Sequence, residues 1–587
     1  MFPANIAFGT VMAGEASPPA MVTIRNAGTA DLTVSSIISP GAPFALDNLP
    51  ALPLVLAAGE TAPFDASFSP QQPGVAQGTI VIASDDADDP EVQLSLTGYG
   101  IVPGVALAFE SVRVSDYAGN QDGIANGGEQ IELPAKLRNN GTEAALGVQA
   151  TITSTSPYVT IYGNNANFGT VATGVSEERY GWYMRVAEGT PESAEIEFSV
   201  TITATNAGPF TDSFAIITGP PLPAGGPLVL DGYVLDDSQP ASQEIQARQE
   251  SRRQQFREAA KNGYLKPGYS LLDSSIVVHR AGNGDGIING GEIIDIYPRV
   301  RNDGAEAYEV RAYFNSPSEP AIGIDTYVYF GTISAGETRA ADNPWTIGIK
   351  LGTPAGTVIT LEVVIDQLVG GSVTETLVLT TGPSLGIPPA AEAGALLASN
   401  TYYQNQGYLY SLDPGSGSGA VVGVTGLNSV EDLAANQAGD LFAIGYGYLL
   451  LRINPVTGAG LFVARLRNAV SGSYLYSVGG LAFNGTGELY GIRSDSYDPS
   501  LYRIDIATGE ATLVGNTGVS YLLGLSFNPT TGALCASRGQ GSDEIYKLNP
   551  ATGAATLVGQ TGFASSISDL AFDSTGVLYG LTRIPGA

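Results

Sequence analysis

Apolar and polar residues alternate along this chain in short runs such as "EIEFSVTITAT" and "VITLEVVID", each bounded by Gly, Pro, Asn or Asp. A period of two puts successive side chains on opposite faces of a strand, and the bounding residues are turn formers. The pattern predicts an all-β, multidomain chain: immunoglobulin-like β-sandwiches followed by a β-propeller, complete or cut short, with one linker helix. The helix is the single break in the pattern, "PASQEIQARQESRRQQFREAAKNG", predicted over 240–262. Ser238 or Asp237 can cap it, Pro240 suits its first turn, and Asn262–Gly263 is a stop. It carries few apolar residues, as expected of a helix bridging domains in solvent.

Turn signals divide the rest. Residues 1–101 carry short β-rich runs at the spacing of a sandwich. Residues 102–221 and 267–384 are two copies of a second domain, 163 positions apart. Trp182 aligns with Trp345, "LRNNGTEA" with "VRNDGAEA", the "GTP" at Gly189 with that at Gly352, and "ITGP" with "TTGP". The two tryptophans are expected to be core aromatics. Residues 222–266 and 385–393 read as linkers. From 394 to 587, "LYSLDPGSG", "LLRINPVTG", "LYRIDIATG" and "IYKLNPATG" recur four times at propeller-blade spacing. The last stretch, Ser568–Thr582, leaves two readings open. Either the ring is cut short, or this stretch pairs with "ALLAS…LYSLDP" and closes four blades.

Three stretches resemble known families. "VTIRNAGTADLTVSSI…FSPQQPG…GTIVIASDDADDPEVQLSLTGYG" is similar to the immunoglobulin-like domain of choice-of-anchor D proteins and to ASPM/SPD-2/Hydin repeats. The GDG-x-x-N-x-G-E loop followed by a strand and "RN-x-G" resembles the sandwiches beside secreted bacterial peptidase domains and the CARDB adhesion domains. The final repeats resemble secreted bacterial propellers. These resemblances imply spacer and binding modules in an extracellular or cell-surface setting.

Composition narrows partners. Formal charge is −31, which disfavours nucleic acid and anionic lipid. One cysteine, Cys535, excludes an intrachain disulfide. No run of eighteen apolar residues codes a membrane span. "MFPANIAFGTV" has no basic and apolar leader, so either the protein is cytoplasmic or the sequence is a fragment, and the domain resemblances favour a fragment of an exported protein.

The candidate site is a loop written twice, "GNQDGIANGGE" from Gly119 and "GNGDGIINGGE" from Gly282. It matches the calcium-loop pattern D-x-[DN]-x-[DN]-G-x₅-E except at the first position, which is Ala118 or Ala281. The Ca²⁺ ligands would be Asn120, Asp122, the Ile124 carbonyl, Asn126 and Glu129 in the first copy. Asn283, Asp285, the Ile287 carbonyl, Asn289 and Glu292 are their counterparts. The missing oxygen could come from Asp116, or from the turns holding Asn140 and Asp303. In the 163-residue alignment His279 faces Asp116, so the second copy is expected to lack that helper. The alternative is a tight turn in which Glu129 and Glu292 accept hydrogen bonds from loop amides.

No G-x-S-x-G, H-E-x-x-H or P-loop is present, and His279 is the only histidine. The expectation is therefore a non-enzymatic structural or adhesive surface protein, its sandwiches a calcium-stiffened stalk and its propeller a face for a protein or glycan ligand. The alternatives are an accessory region of a larger secreted peptidase, or a self-assembling filament subunit.

Overall fold

A computed structural model describes residues 5–237, 282–400, 407–427, 429–445, 448–540, 542–563 and 566–582, and every element among them is a strand. The helix expected at 240–262 and His279 lie outside the described residues. The chain divides into two compact units, Met1–Pro223 and Ala224–Ala587.

The first unit begins with a sandwich of a five-stranded and a three-stranded sheet. Alternation sets its faces. In Thr61–Phe68, Ala62, Phe64, Ala66 and Phe68 turn inward while their neighbours face out. They meet Val22, Phe44, Ile80, Leu94 and Leu96 in one core. Each large side chain buried this way contributes roughly 1.5–3 kcal/mol. The second sandwich of this unit turns on the long strand Val159–Val171. Its first half pairs with Trp182–Val186 and its second with Ala145–Thr153, carrying the chain from one face to the other. Trp182 is fully buried between them, its indole N–H donating to the Ala150 carbonyl at 3.0 Å.

One device recurs in all three sandwiches. Asn26, Asn139 and Asn302, the asparagines of the "RN" turns, are buried. Each side-chain amide donates both to a carbonyl just ahead in its own turn (Ala30, Glu143, Ala305) and to one on a neighbouring strand (Leu56, Val171, Ile333). The turn is thus tied to the sheet beside it, at about 1 kcal/mol per bond.

In the second unit, the segment expected as a linker at 222–266 contains the strand Leu228–Asp236, which pairs with residues 295–302 of the strand Ile293–Asn302. It is the first strand of the second copy of the duplicated domain. Leu228 opposes Asn302 as Leu107 opposes Asn139 in the first copy. The first strands are 121 positions apart and the partner strands 163, so the second copy carries 42 extra residues between its first strand and its polar loop. Charge and polarity set that insertion apart in the sequence, and it lies inside the sandwich's topology rather than between domains.

The repeats that follow form a propeller-type array. A three-stranded sheet (Leu396–Ser399, Tyr408–Leu412, Gly419–Val424) precedes three sheets whose four antiparallel meander strands run from Val430 to Arg465, Val478 to Asn516 and Leu522 to Gln560, the middle one joined in parallel by the short strand Arg467–Asn468. Ile567–Phe572 and Leu578–Thr582 end it as a two-stranded sheet. The pairing that would close a four-bladed ring is not formed among the described residues: Leu396–Ser399 pairs only with Tyr408–Leu412.

The propeller is not hung on a free tether. Ile293 of the sandwich lies in one apolar cluster with Leu409, Leu441, Leu449 and Phe462 of the array. The Phe462 N–H donates to the Gly291 carbonyl at 2.6 Å, and the Phe462 carbonyl accepts from Leu351 N–H at 2.9 Å. Any side chain at Gly348 would overlap the Phe462 ring, since a Cβ there would stand 2.7 Å from it. The 385–393 segment, expected as a linker, is itself fastened: Leu385 N–H donates to Gly290 O, and Ala391 N–H to Gly439 O.

Candidate functional site

The two polar loops adopt the same hydrogen-bond scheme. Asn120 Oδ1 accepts from Asp122 N–H at 3.1 Å, and Asp122 Oδ1 from Ile124 N–H at 2.8 Å. Asn283 and Asp285 repeat this at 2.9 and 2.8 Å. In each loop the asparagine amide also donates to the aspartate's other oxygen at 2.9 Å. Left-handed backbone at Gly123 and Gly286 makes the sharp turn that follows.

Glu129 lies at the middle of its loop, fully buried, with its two oxygens accepting from Asn120 N–H at 3.2 Å and Asn126 N–H at 2.8 Å. Glu292 does the same for Asn283 at 3.0 Å and Asn289 at 2.7 Å. Burial pushes both carboxyls up to about 7, and the nearby acids (Asp116 and Asp122; Asp237 and Asp285) add to the rise against the pull of the amide bonds. Gly119 is required beside this carboxylate, since a Cβ there would stand 2.2 Å from a Glu129 oxygen.

The place left by Ala118 and Ala281 is served in both copies. Asp116 accepts the Gly123 N–H at 3.2 Å. In the second copy Asp237, at the end of the strand Leu228–Asp236, accepts the Gly286 N–H at 3.0 Å. The expectation that the second copy lacks this acid is therefore corrected. His279 faces Asp116 only in a gapless alignment, and the 42-residue insertion shifts the true counterpart to Asp237. Asp237, read as a helix cap, spends its carboxylate on the loop. The alternative sources do not reach it: Asn140 accepts the Tyr99 hydroxyl, and Asp303 pairs with Arg301 at 2.7 Å.

The other duplicated motifs build the same corner. Asn126 and Asn289 donate their side-chain amides to the Pro220 and Pro383 carbonyls of the "TGP" turns, both at 2.8 Å. Thr218 and Thr381 of those turns donate to Pro191 and Pro354 of the "GTP" turns, both at 2.7 Å. Loop, "GTP" and "TGP" thus form one hydrogen-bonded corner, which accounts for their joint duplication.

As donors for a metal these groups are hard oxygens of the kind Ca²⁺ takes, with no thiolate or imidazole among them. Asn126 Oδ1 and Asn289 Oδ1 are buried without a hydrogen-bond partner. Yet no three acidic side chains among the described residues converge as a metal cage, and both oxygens of each glutamate already face N–H donors. The loops hold their shape by internal bonds, and an ion would have to draw Asp122 or Asp285 inward.

No protein-family model and no curated protein matches the chain. Among solved structures it is similar to a nidogen/laminin complex (13% identity, 32% of this chain and 70% of that one, TM-score 0.26). It is likewise similar to YCF48 bound to a D1 peptide (13%, 40% and 91%, TM-score 0.22) and to the secreted serine protease VesC from Vibrio cholerae (16%, 36% and 48%, TM-score 0.17). At these TM-scores the likenesses assign neither family nor function.

Proposed function

We propose that the chain is a non-catalytic structural and adhesive protein of the cell surface or extracellular space, in which sandwich modules carry a propeller as a binding face. The observation that carries this reading is the seat of Phe462, where a continuous apolar core and two backbone hydrogen bonds fix the propeller on the second sandwich. Such a junction holds a binding face at a set angle, which suits display. Binding of the purified chain to arrayed matrix proteins and glycans tests it. Saturable binding to at least one class is expected, and its absence on all of them overturns the adhesive reading.

The proposal includes Ca²⁺ as a stiffening ligand of the two loops. Its support is that each loop is supplied with an acid from outside, Asp116 or Asp237, where the loop itself has alanine. Metal bound only by the folded state stabilises it by RT ln(1 + [L]/Kd). Calorimetric titration with Ca²⁺, and melting with and without chelator, test this. Absence of both heat and a melting shift removes calcium and leaves the loops as hydrogen-bonded corners.

A further inference from the structure

In a meander blade the connections alternate between two faces of the propeller, and the two faces of this array differ in composition. On one face lie the turns within 413–418, 436–440, 454–459, 484–488, 505–509, 528–533, 549–554 and 573–577, rich in Asn, Asp, Pro, Thr, Gly and Ala and without one aromatic residue. On the other lie 466–477, 494–499, 517–521, 539–540, 542–543 and 561–563, which carry Tyr474, Tyr476, Tyr497, Tyr521 and Phe563.

These aromatic connections form a continuous strip. Ser494 N–H donates to Ser477 O at 2.8 Å, Tyr521 N–H to Ser494 O at 3.0 Å, Gly539 N–H to Tyr521 O at 2.8 Å, and Thr561 N–H to Asp543 O at 3.0 Å. Between Tyr521 and the 539–543 hairpin opens a cleft of about 360 Å³, lined by Tyr521, Arg538, Gln540, Ser542, Asp543 and Gln560. Two rings on the same strip stand in the open: Tyr497 is 96% exposed and Phe563 63%. Asp495 Oδ1 accepts the N–H groups of both Tyr497 and Asp498 and fixes the turn that carries the Tyr497 ring.

Acids outnumber bases around the cleft and the Tyr497 turn. Arg493 pairs with Asp495 at 2.7 Å and Asp498 at 3.1 Å, and Arg538 with Glu544 at 2.8 Å. Asp543 accepts the Gly562 N–H at 2.6 Å and keeps its charge. What else faces solvent is ring faces, amides and hydroxyls. Ring faces stack on the C–H faces of pyranose rings, and the amides, hydroxyls and carboxylates meet their hydroxyl groups. An anionic ligand would meet the excess of carboxylates.

We propose that this aromatic face binds a neutral oligosaccharide, with one sugar in the cleft beside Tyr521 and further sugars over Tyr497 and Phe563. The proposal rests on the adhesive reading and names its face and ligand class. The test is calorimetry of the full chain against cellohexaose, maltohexaose and mannohexaose, with hyaluronan hexasaccharide and a matrix-protein array in parallel. One neutral hexaose is expected to saturate. Tyr497→Ala and Phe563→Ala are each expected to weaken it about 2- to 10-fold, while Val456→Ala, on the opposite face and 72% exposed, leaves it unchanged. Binding of a neutral hexaose that neither aromatic variant weakens overturns the face. Binding only of hyaluronan or a matrix protein overturns the ligand class and spares the adhesive reading. Binding of nothing overturns both.

Discussion

Asp237 accepts the Gly286 N–H from 49 positions upstream, the bond that Asp116 makes to Gly123 across seven. The two acids are 121 positions apart, the offset of the first strands: Asp237 follows Leu228–Asp236, and Asp116 lies in Ser115–Ala118, the short strand after Leu107–Val112. The turn therefore depends on the strand Leu228–Asp236, and the loop and first strand of the second sandwich form together.

Removing that acid tests the dependence. Asp237→Ala leaves a partly buried N–H without its acceptor and is expected to cost about 1–3 kcal/mol. Asp237→Asn keeps an acceptor oxygen and is expected to cost less than half as much. If calcium occupies the loop, the asparagine variant also loses the chelator-sensitive part of the melting shift. Melting curves of the two variants, with and without Ca²⁺, separate the roles. Equal melting of wild type and Asp237→Ala would remove Asp237 from the corner.

The buried glutamates give a pH dependence of definite sign. Glu129 and Glu292 have carboxyls raised from 4.5 to about 7 in the folded chain. A raised acid binds its proton more tightly when folded, so its contribution is full below about pH 4.5 and is lost as pH rises through about 7. Without metal the sandwiches are expected to melt several degrees higher at pH 5 than at pH 8. Bound Ca²⁺ favours the ionised carboxylate, so its stabilisation is expected to be larger at pH 8 than at pH 5. Glu129→Gln together with Glu292→Gln flattens the slope, and an unchanged slope would assign the titration elsewhere.

The strands and the internal duplication were legible because a period of two and repeated turn residues are local signals. Trp182 and Trp345, equivalent in sequence, are both fully buried. Half of the candidate corner was legible too, since Glu129 and Glu292 bond loop amides as a tight turn requires. The first strand of the second sandwich was not. "LVLDGYVLDD" is two apolar triplets rather than a clean alternation, and the polar stretch after it hid its partner strand, in which Asp295, 59 positions further on, opposes Asp236. An alignment allowing one 42-residue gap would have placed Asp237 opposite Asp116. The seat of Phe462 left no such trace, because nothing local distinguishes an apolar residue facing its own blade from one facing another domain.

That seat carries its own expected outcome. Phe462 is fully buried between the outer strand of its blade and the sandwich. Phe462→Ala is expected to cost about 3–5 kcal/mol. Part of the loss should appear as uncoupling, with amides of Ile293–Asn302 and Leu441–Gly445 no longer exchanging as one cooperative group. Hydrogen exchange followed by mass spectrometry reads this directly. Joint protection of the two strands in the variant would mean that the 385–393 strap and not the Phe462 core holds the propeller in place.

A last prediction concerns the inner strands of the array. Asp432 and Asp569, on Val430–Ala435 and Ile567–Phe572, lie together in a buried setting. Burial and the neighbouring carboxyl hold Asp432 well above the carboxylate range, and burial raises Asp569 to about 6. Protonation therefore stabilises the pair at low pH, and the part that Asp569 carries is lost as pH rises through about 6. Asp569→Asn supplies a permanent hydrogen in place of the proton and keeps its oxygen for the Leu570 N–H group that Asp569 accepts. The variant is expected to melt higher than wild type at pH 8 and close to it at pH 5. Destabilisation at both values would mean that the Asp569 charge is needed where it stands.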